Sequence, residues 1–140
     1  MATIFTCIID GEIPGTFVWK DAQAVAFLSI NPIHHGHTLV VPRREVDHWL
    51  DLDPALAAHL MTVAQSIGKA QQRAFGCQRV GLIIAGFEVP HTHLHAIPAD
   101  NMADLDFANA AAQPDFDAIS AAARSIRTAL RELGFSEVAE

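Results

Sequence analysis

The chain has 140 residues, 51% of them hydrophobic and 18% charged, with 9 Lys+Arg against 16 Asp+Glu for a net charge of −7. That mixture excludes a disordered or low-complexity chain, and the length fits a single domain over residues 1–140 that buries roughly two thirds of its unfolded surface without a staple. The acidic balance disfavours nucleic acid, whose non-specific binding runs on phosphate neutralisation, but it leaves room for one small anionic ligand in a specific pocket.

In chain order, Ile4 to Ile13 is apolar up to Pro14-Gly15 and predicts a short helix with an irregular arm. Thr16 to Lys20 and Ala24 to Leu28 are β-branched or apolar runs split by Asp21-Ala22-Gln23, a hairpin pattern. Asn31-Pro32 breaks the chain, and Thr38 to Val41 predicts a strand closed by Pro42. Asp53-Pro54 offers a side-chain cap and then proline at the first helical position. Leu56, Leu60, Val63, Ile67, Ala70 and Ala74 follow at spacings of four and three, one apolar stripe on a long helix ended by Gly76. Arg79 to Ala85 predicts a buried strand, Gly86 to Pro90 a turn, and His91 to Ile97 another strand. Asn101 to Gln113 lacks periodicity and reads as a loop. Phe116, Ile119, Ala123, Ile126, Leu130 and Leu133 share one face of a second helix, over about residues 115–133. Strands grouped around helices, rather than strictly alternating with them, predict an α+β fold with an antiparallel sheet.

The longest apolar stretch, Leu82 to Phe87, is far too short to span a bilayer. The N-terminus has no basic region before an apolar one and meets Asp10 and Glu12 early, so no signal peptide is evident and a cytoplasmic protein is expected. Cys7 and Cys77 form neither a CxxC pair nor a disulfide framework and read as buried, reduced thiols.

The histidines are not scattered. Of 8, only His48 and His59 stand alone; His34, His35 and His37 form one cluster, and His91, His93 and His95 another. On a strand, period two would put the last three imidazoles on one face, with Thr92, Leu94 and Ala96 pointing into a core. A solvated polar face fits poorly with those small or apolar alternate positions. A metal site is open to imidazole, yet the outer rings of such a row start about 13 Å apart at Cα and cannot easily share one ion with the middle one. Nucleophilic catalysis fits better. A neutral imidazole attacks phosphorus well and the adduct is readily broken by water. Flanking imidazoles disfavour a second positive charge and offer donors where phosphoryl charge develops.

His91 to Ile97 resembles the His-φ-His-φ-His-φ-φ signature of the histidine triad family of nucleotide hydrolases and transferases, loosely at Thr92. Ile4-Phe5, Ile8-Ile9, Gly11 to Pro14, Ala26-Phe27, Pro32 and Gly36 to Pro42 resemble that family's other landmarks in order, over about residues 3–98. The resemblance implies a five-stranded antiparallel sheet with two main helices, here followed by a C-terminal helix, in a homodimer that binds a purine nucleotide. It implies His93 as nucleophile, His91 and His95 as phosphate-side partners, and His37 as the histidine that hydrogen-bonds into the triad. Phe5, Ile9, Phe27, Ser29 and Ile30 would hold base and ribose. The implied reaction is cleavage of a nucleotide conjugate at its α-phosphorus through a nucleotidyl-histidine, needing no cofactor. The alternative is a nucleotide-binding module with vestigial hydrolysis.

Three departures from the family pattern stand out. Ser29 replaces the usual Asp or Asn at the ribose position. The segment Ile83 to Pro90 is short and lacks the usual Asn and Gln. Positions that match zinc ligands in some members are Thr3, Thr6 and Glu45, which predicts no metal. Glu88, flanked by Phe87 and Val89, is the candidate acid for the leaving group, because a carboxyl among apolar side chains tends to keep its proton. Ala57, Ala58, Ala64 and Ala70 offer small side chains against which a second copy could pack.

Overall fold

The computed structural model describes residues 1–140, and local signals set most element ends. Thr3 caps helix α1, Ile4–Ile9, by accepting from the Thr6 amide. Strands β1, Phe17–Lys20, and β2, Ala24–Leu28, form the hairpin, with Asp21 Oδ1 accepting from the Gln23 and Ala24 amides at 2.8 Å in the turn. Strand β3 is Thr38–Pro42. Helix α2, Pro54–Phe75, starts on the Asp53 cap with proline in its first turn and stops at left-handed Gly76. Strands β4, Arg79–Ile83, and β5, Leu94–Ala99, precede helix α3, Phe116–Glu132, which Asp115 caps.

The five strands lie in the order β1-β2-β3-β5-β4, all antiparallel. This is the expected α+β architecture. Period-two alternation divides the sheet's side chains. Ala24, Ala26, Leu28, Val40, Leu94 and Ala96 join the buried faces of α2 and α3 in a cluster of 20 buried residues. Val25, Phe27, Leu39 and Val41 point to the opposite face, where Phe5 of α1 covers part of them. Register then matters: Phe27 pairs with Leu39 and Leu39 with His95, so one row carries the apolar wall and the third triad histidine onto the α1 face.

Several expectations need correction. Arg79–Ile83 is an edge strand with Leu82 exposed, rather than a buried one, because β5 occupies its inner side and nothing its outer side. The strand expected from His91 begins only at Leu94, since Thr92 turns its amide and hydroxyl to the Val46 carbonyl (2.7 and 2.8 Å) instead of joining the ladder. The expected loop 101–113 contains two 3-10 turns, Met102–Leu105 and Phe107–Asn109. On α3, Phe116 and Leu133 lie beyond the packed part of the stripe and are exposed. Ala64 and Ala70 face the chain's own core rather than a partner, because they fall on the α2 stripe. Cys77 is buried but Cys7 only partly so, and both thiols are free. No helix is long and apolar enough to cross a membrane.

Gly36, one residue before His37, sits at φ +91°, and a Cβ there would run into the Phe75 ring at the end of α2. Left-handed backbone and this clash act together, so Gly36→Ala should lower stability by about 2 kcal/mol or more. Denaturant unfolding of the two proteins measures this directly.

Candidate active site

Four histidines are brought together from distant positions. His91, His93 and His95 come from the segment entering β5, and His37 from the turn entering β3; all four are buried. Side-chain amide Nε2 of the fully buried Gln71, on α2, donates to the carbonyls of Gly36 and Ala96 at 2.9 Å each. It therefore ties the neighbour of His37 to the neighbour of His95. Nothing in the α2 periodicity marked Gln71 as other than a polar position.

Hydrogen bonds to the backbone fix which nitrogen carries each proton. The Ile33 amide donates to His37 Nδ1 (3.1 Å), so a neutral His37 ring has its proton on Nε2. That N–H donates to His95 Nδ1 at 2.9 Å, which leaves the His95 proton on Nε2. His93 Nδ1–H donates to the His91 carbonyl at 2.7 Å, so the lone pair of His93 is on Nε2. The rings of His93 and His95 stand 4.8 Å apart edge to face. A lone pair and an N–H donor therefore belong to adjacent rings.

The rings of His37, His93 and His95 are held neutral. Burial lowers His37 to about 3, with the neighbouring imidazoles of His95 and His93 adding to it. Burial and then His93 lower His95 to about 4. Burial lowers His93 as well, while its bond to the His91 carbonyl and the charge of Glu88 oppose the shift.

His37, His93 and His95 line a cavity of about 480 Å³ whose other walls are mostly apolar. Phe5, Phe27, Ser29 and Ile30 are on it as expected, with Asn31 beside Ser29. Ile9 is not; Ile4, Phe5 and Ile8 present the cavity face of α1, and one residue further turns the side chain about 100° away. Phe107 and Phe116 also line it, and the Phe107 ring meets His95 edge-on at 4.9 Å. Phe107 was hidden in a non-periodic segment, where a lone aromatic was the sole signal. Glu88 lies on the lining but is exposed, and Phe87 is 97% exposed, so the apolar surround expected for that carboxyl is not there.

His91 departs furthest from expectation. It is off the cavity lining, and its ring is spanned between the Pro42 carbonyl and Thr3 Oγ1, both at 2.7 Å. It precedes the strand, so the period-two argument does not reach it. The matched zinc positions do converge here: Glu45 Oε1 accepts from the Thr3 amide (2.7 Å) and the Thr6 hydroxyl (2.6 Å). Two engaged hydroxyls are a poor substitute for thiolates, and this donor set does not fit tetrahedral zinc. Away from the cavity, His34 approaches Asp100 and Asp104, and His35 packs on Phe75 at 5.3 Å.

Comparison with known proteins places this geometry. The HIT domain profile matches residues 10–102. An uncharacterised HIT-like protein of Borreliella burgdorferi is 37% identical over 102 residues, 68% of this chain and 73% of that one. The Arabidopsis thaliana protein named adenylylsulfatase HINT3 is 30% identical over 100 residues, 68% of this chain and 51% of its own. The crystal structure of a Zn-bound histidine triad protein from Mycobacterium smegmatis superposes with a TM-score of 0.82 at 28% identity, covering 95% of this chain and 96% of that one.

The depressed histidines make stability depend on pH. Between the ordinary value of 6.5 and the folded values of about 4 and 3, the unfolded chain binds protons that the folded chain refuses. Stability is therefore full above 6.5 and falls as pH drops towards 4, for His37 by up to about 1.4 kcal/mol per pH unit. Melting temperatures across that window should show the decline, and a His37→Phe variant should show a shallower one.

Proposed function

The chain belongs to the histidine triad (HIT domain) family, and from that premise we propose that it hydrolyses a nucleoside 5′-phosphate conjugate at the α-phosphorus through a nucleotidyl-His93 intermediate. One observation carries the reading: His93 Nδ1 is locked to a carbonyl, so a neutral, buried ring offers its Nε2 lone pair. In the first step Nε2 attacks phosphorus, an N–P bond forms, and the bond to the leaving group breaks, the leaving group taking the electron pair and then a proton. In the second step water attacks, the N–P bond breaks, and the nucleoside monophosphate leaves with His93 neutral again. His95 Nε2–H, held in place by His37, donates to the phosphoryl oxygens as charge builds on them.

The cavity supports a purine nucleotide, since its size is in the range of small-ligand sites and its aromatic walls suit a flat base. Ser29 and Asn31 are the polar groups placed for ribose hydroxyls. Glu88, exposed at the rim, is the one carboxylate on the cavity lining. His91, off the lining, has no part in holding phosphate. Leaving groups consistent with this reading include amines, sulfate and a second nucleotide.

His93→Ala should abolish monophosphate release while keeping the fold and much of the nucleotide affinity, because no other group can form the intermediate. A variant that retained about a tenth or more of wild-type turnover would remove the double displacement. A homodimer belongs to the same reading, and the open edge of β4 is one surface free to take part in it. Light scattering should return twice the chain mass, and a value near 15.1 kDa would refute the dimer.

A further inference from the structure

His91 is a buried imidazole for which the two-step reaction has no use. Its carbonyl nevertheless holds the Nδ1 proton of His93, and that carbonyl lies in an irregular segment before β5, outside any ladder. The Thr92 amide of the same peptide unit donates to the Val46 carbonyl at 2.7 Å, and the His91 ring adds a second, side-chain anchor to the residue. Pro42's carbonyl can only accept, so the ring's proton is on Nε2, and on a neutral ring Nδ1 must accept from the Thr3 hydroxyl.

Thr3 is itself fixed. Its amide donates to Glu45 Oε1 at 2.7 Å, and its hydroxyl oxygen accepts from the Thr6 amide at 3.1 Å. The same Glu45 oxygen accepts from the Thr6 hydroxyl at 2.6 Å, and the Thr6 hydroxyl and then the Thr3 amide lower the pKa of this carboxyl. One carboxylate oxygen thus clamps the first turn of α1 beside the triad. α1 in turn places Phe5 edge-on against both His91 and His93, at 5.8 and 4.9 Å between ring centres.

We propose that Thr3, anchored by Glu45, is a positioning residue for the nucleophile, acting through the His91 ring on the carbonyl that orients His93. This rests on His93 being the nucleophile. Neither Thr3 nor Glu45 lines the cavity, so both act on the rate constant rather than on nucleotide affinity.

The test is a set of three variants of the full chain, Thr3→Val, Thr3→Ser and Glu45→Ala, assayed on an adenosine 5′-phosphoramidate with nitrogen-15 NMR of the histidine rings. Thr3→Val keeps the side-chain shape and removes the donor, so kcat should fall about tenfold with KM within about twofold. Thr3→Ser should remain within about twofold of wild type, and Glu45→Ala should fall between the two. The ring nitrogens of His91 and of His93 should shift in Thr3→Val and not in Thr3→Ser. A Thr3→Val enzyme with unchanged kcat, a change confined to KM, or a serine variant as slow as the valine one would overturn the proposal. If the wild type releases no monophosphate, the hydrolase reading fails on its own. The ring spectra then decide: an unshifted His93 in Thr3→Val overturns the positioning role, and a shift that serine restores supports it.

Discussion

Everything at this site depends on backbone groups dictating where imidazole protons sit. A histidine ring free in water samples both tautomers and a charged form near neutral pH. Here an amide donating to His37 and a carbonyl accepting from His93 remove that freedom, and burial removes the charge. The outcome is asymmetric. One ring offers a lone pair while its neighbour, 4.8 Å away, offers a proton. Two identical side chains thereby take opposite chemical roles.

The scaffold serves that arrangement from both faces of the sheet. On one face, α2 and α3 bury a continuous apolar cluster, and Gln71 reaches from it to clasp the backbone beside His37 and His95. On the other, the row Phe27–Leu39–His95 carries the floor of the cavity while α1 and the turn at Phe107 stand over it. The stability of the first face is what the second draws on, because buried neutral histidines lose protonation free energy on folding. Such a site is poised at a cost, and the core opposite it offsets that cost.

His91 illustrates how a motif can mislead about roles while being right about location. Read as alternation along a strand, it belongs beside His93 and His95. In the fold it turns away, engages Thr3 and Pro42, and contributes its carbonyl instead of its ring. The first histidine of the row is then structural support for the second. Glu88 makes a related point: of its two apolar neighbours in sequence, Val89 lines the cavity with it while Phe87 projects into solvent.

Sequence alone determined the elements whose signals are local. The Asp53 cap with Pro54, the stripe from Leu56 to Ala70 and the break at Gly76 define α2 because a helix depends on contacts three or four residues apart. The hairpin around Asp21 and the strand ending at Pro42 are equally local. The His-x-His-x-His row marked the candidate site, since such spacing needs no partner to be noticed. Tertiary structure decided the rest. That β4 is an edge, that Ile8 rather than Ile9 meets the cavity, that Phe107 lies on His95, and that Gln71 and Thr3 brace the triad all depend on packing between segments far apart in the chain. No periodicity records such contacts, because each is set by where two elements meet and not by what either contains.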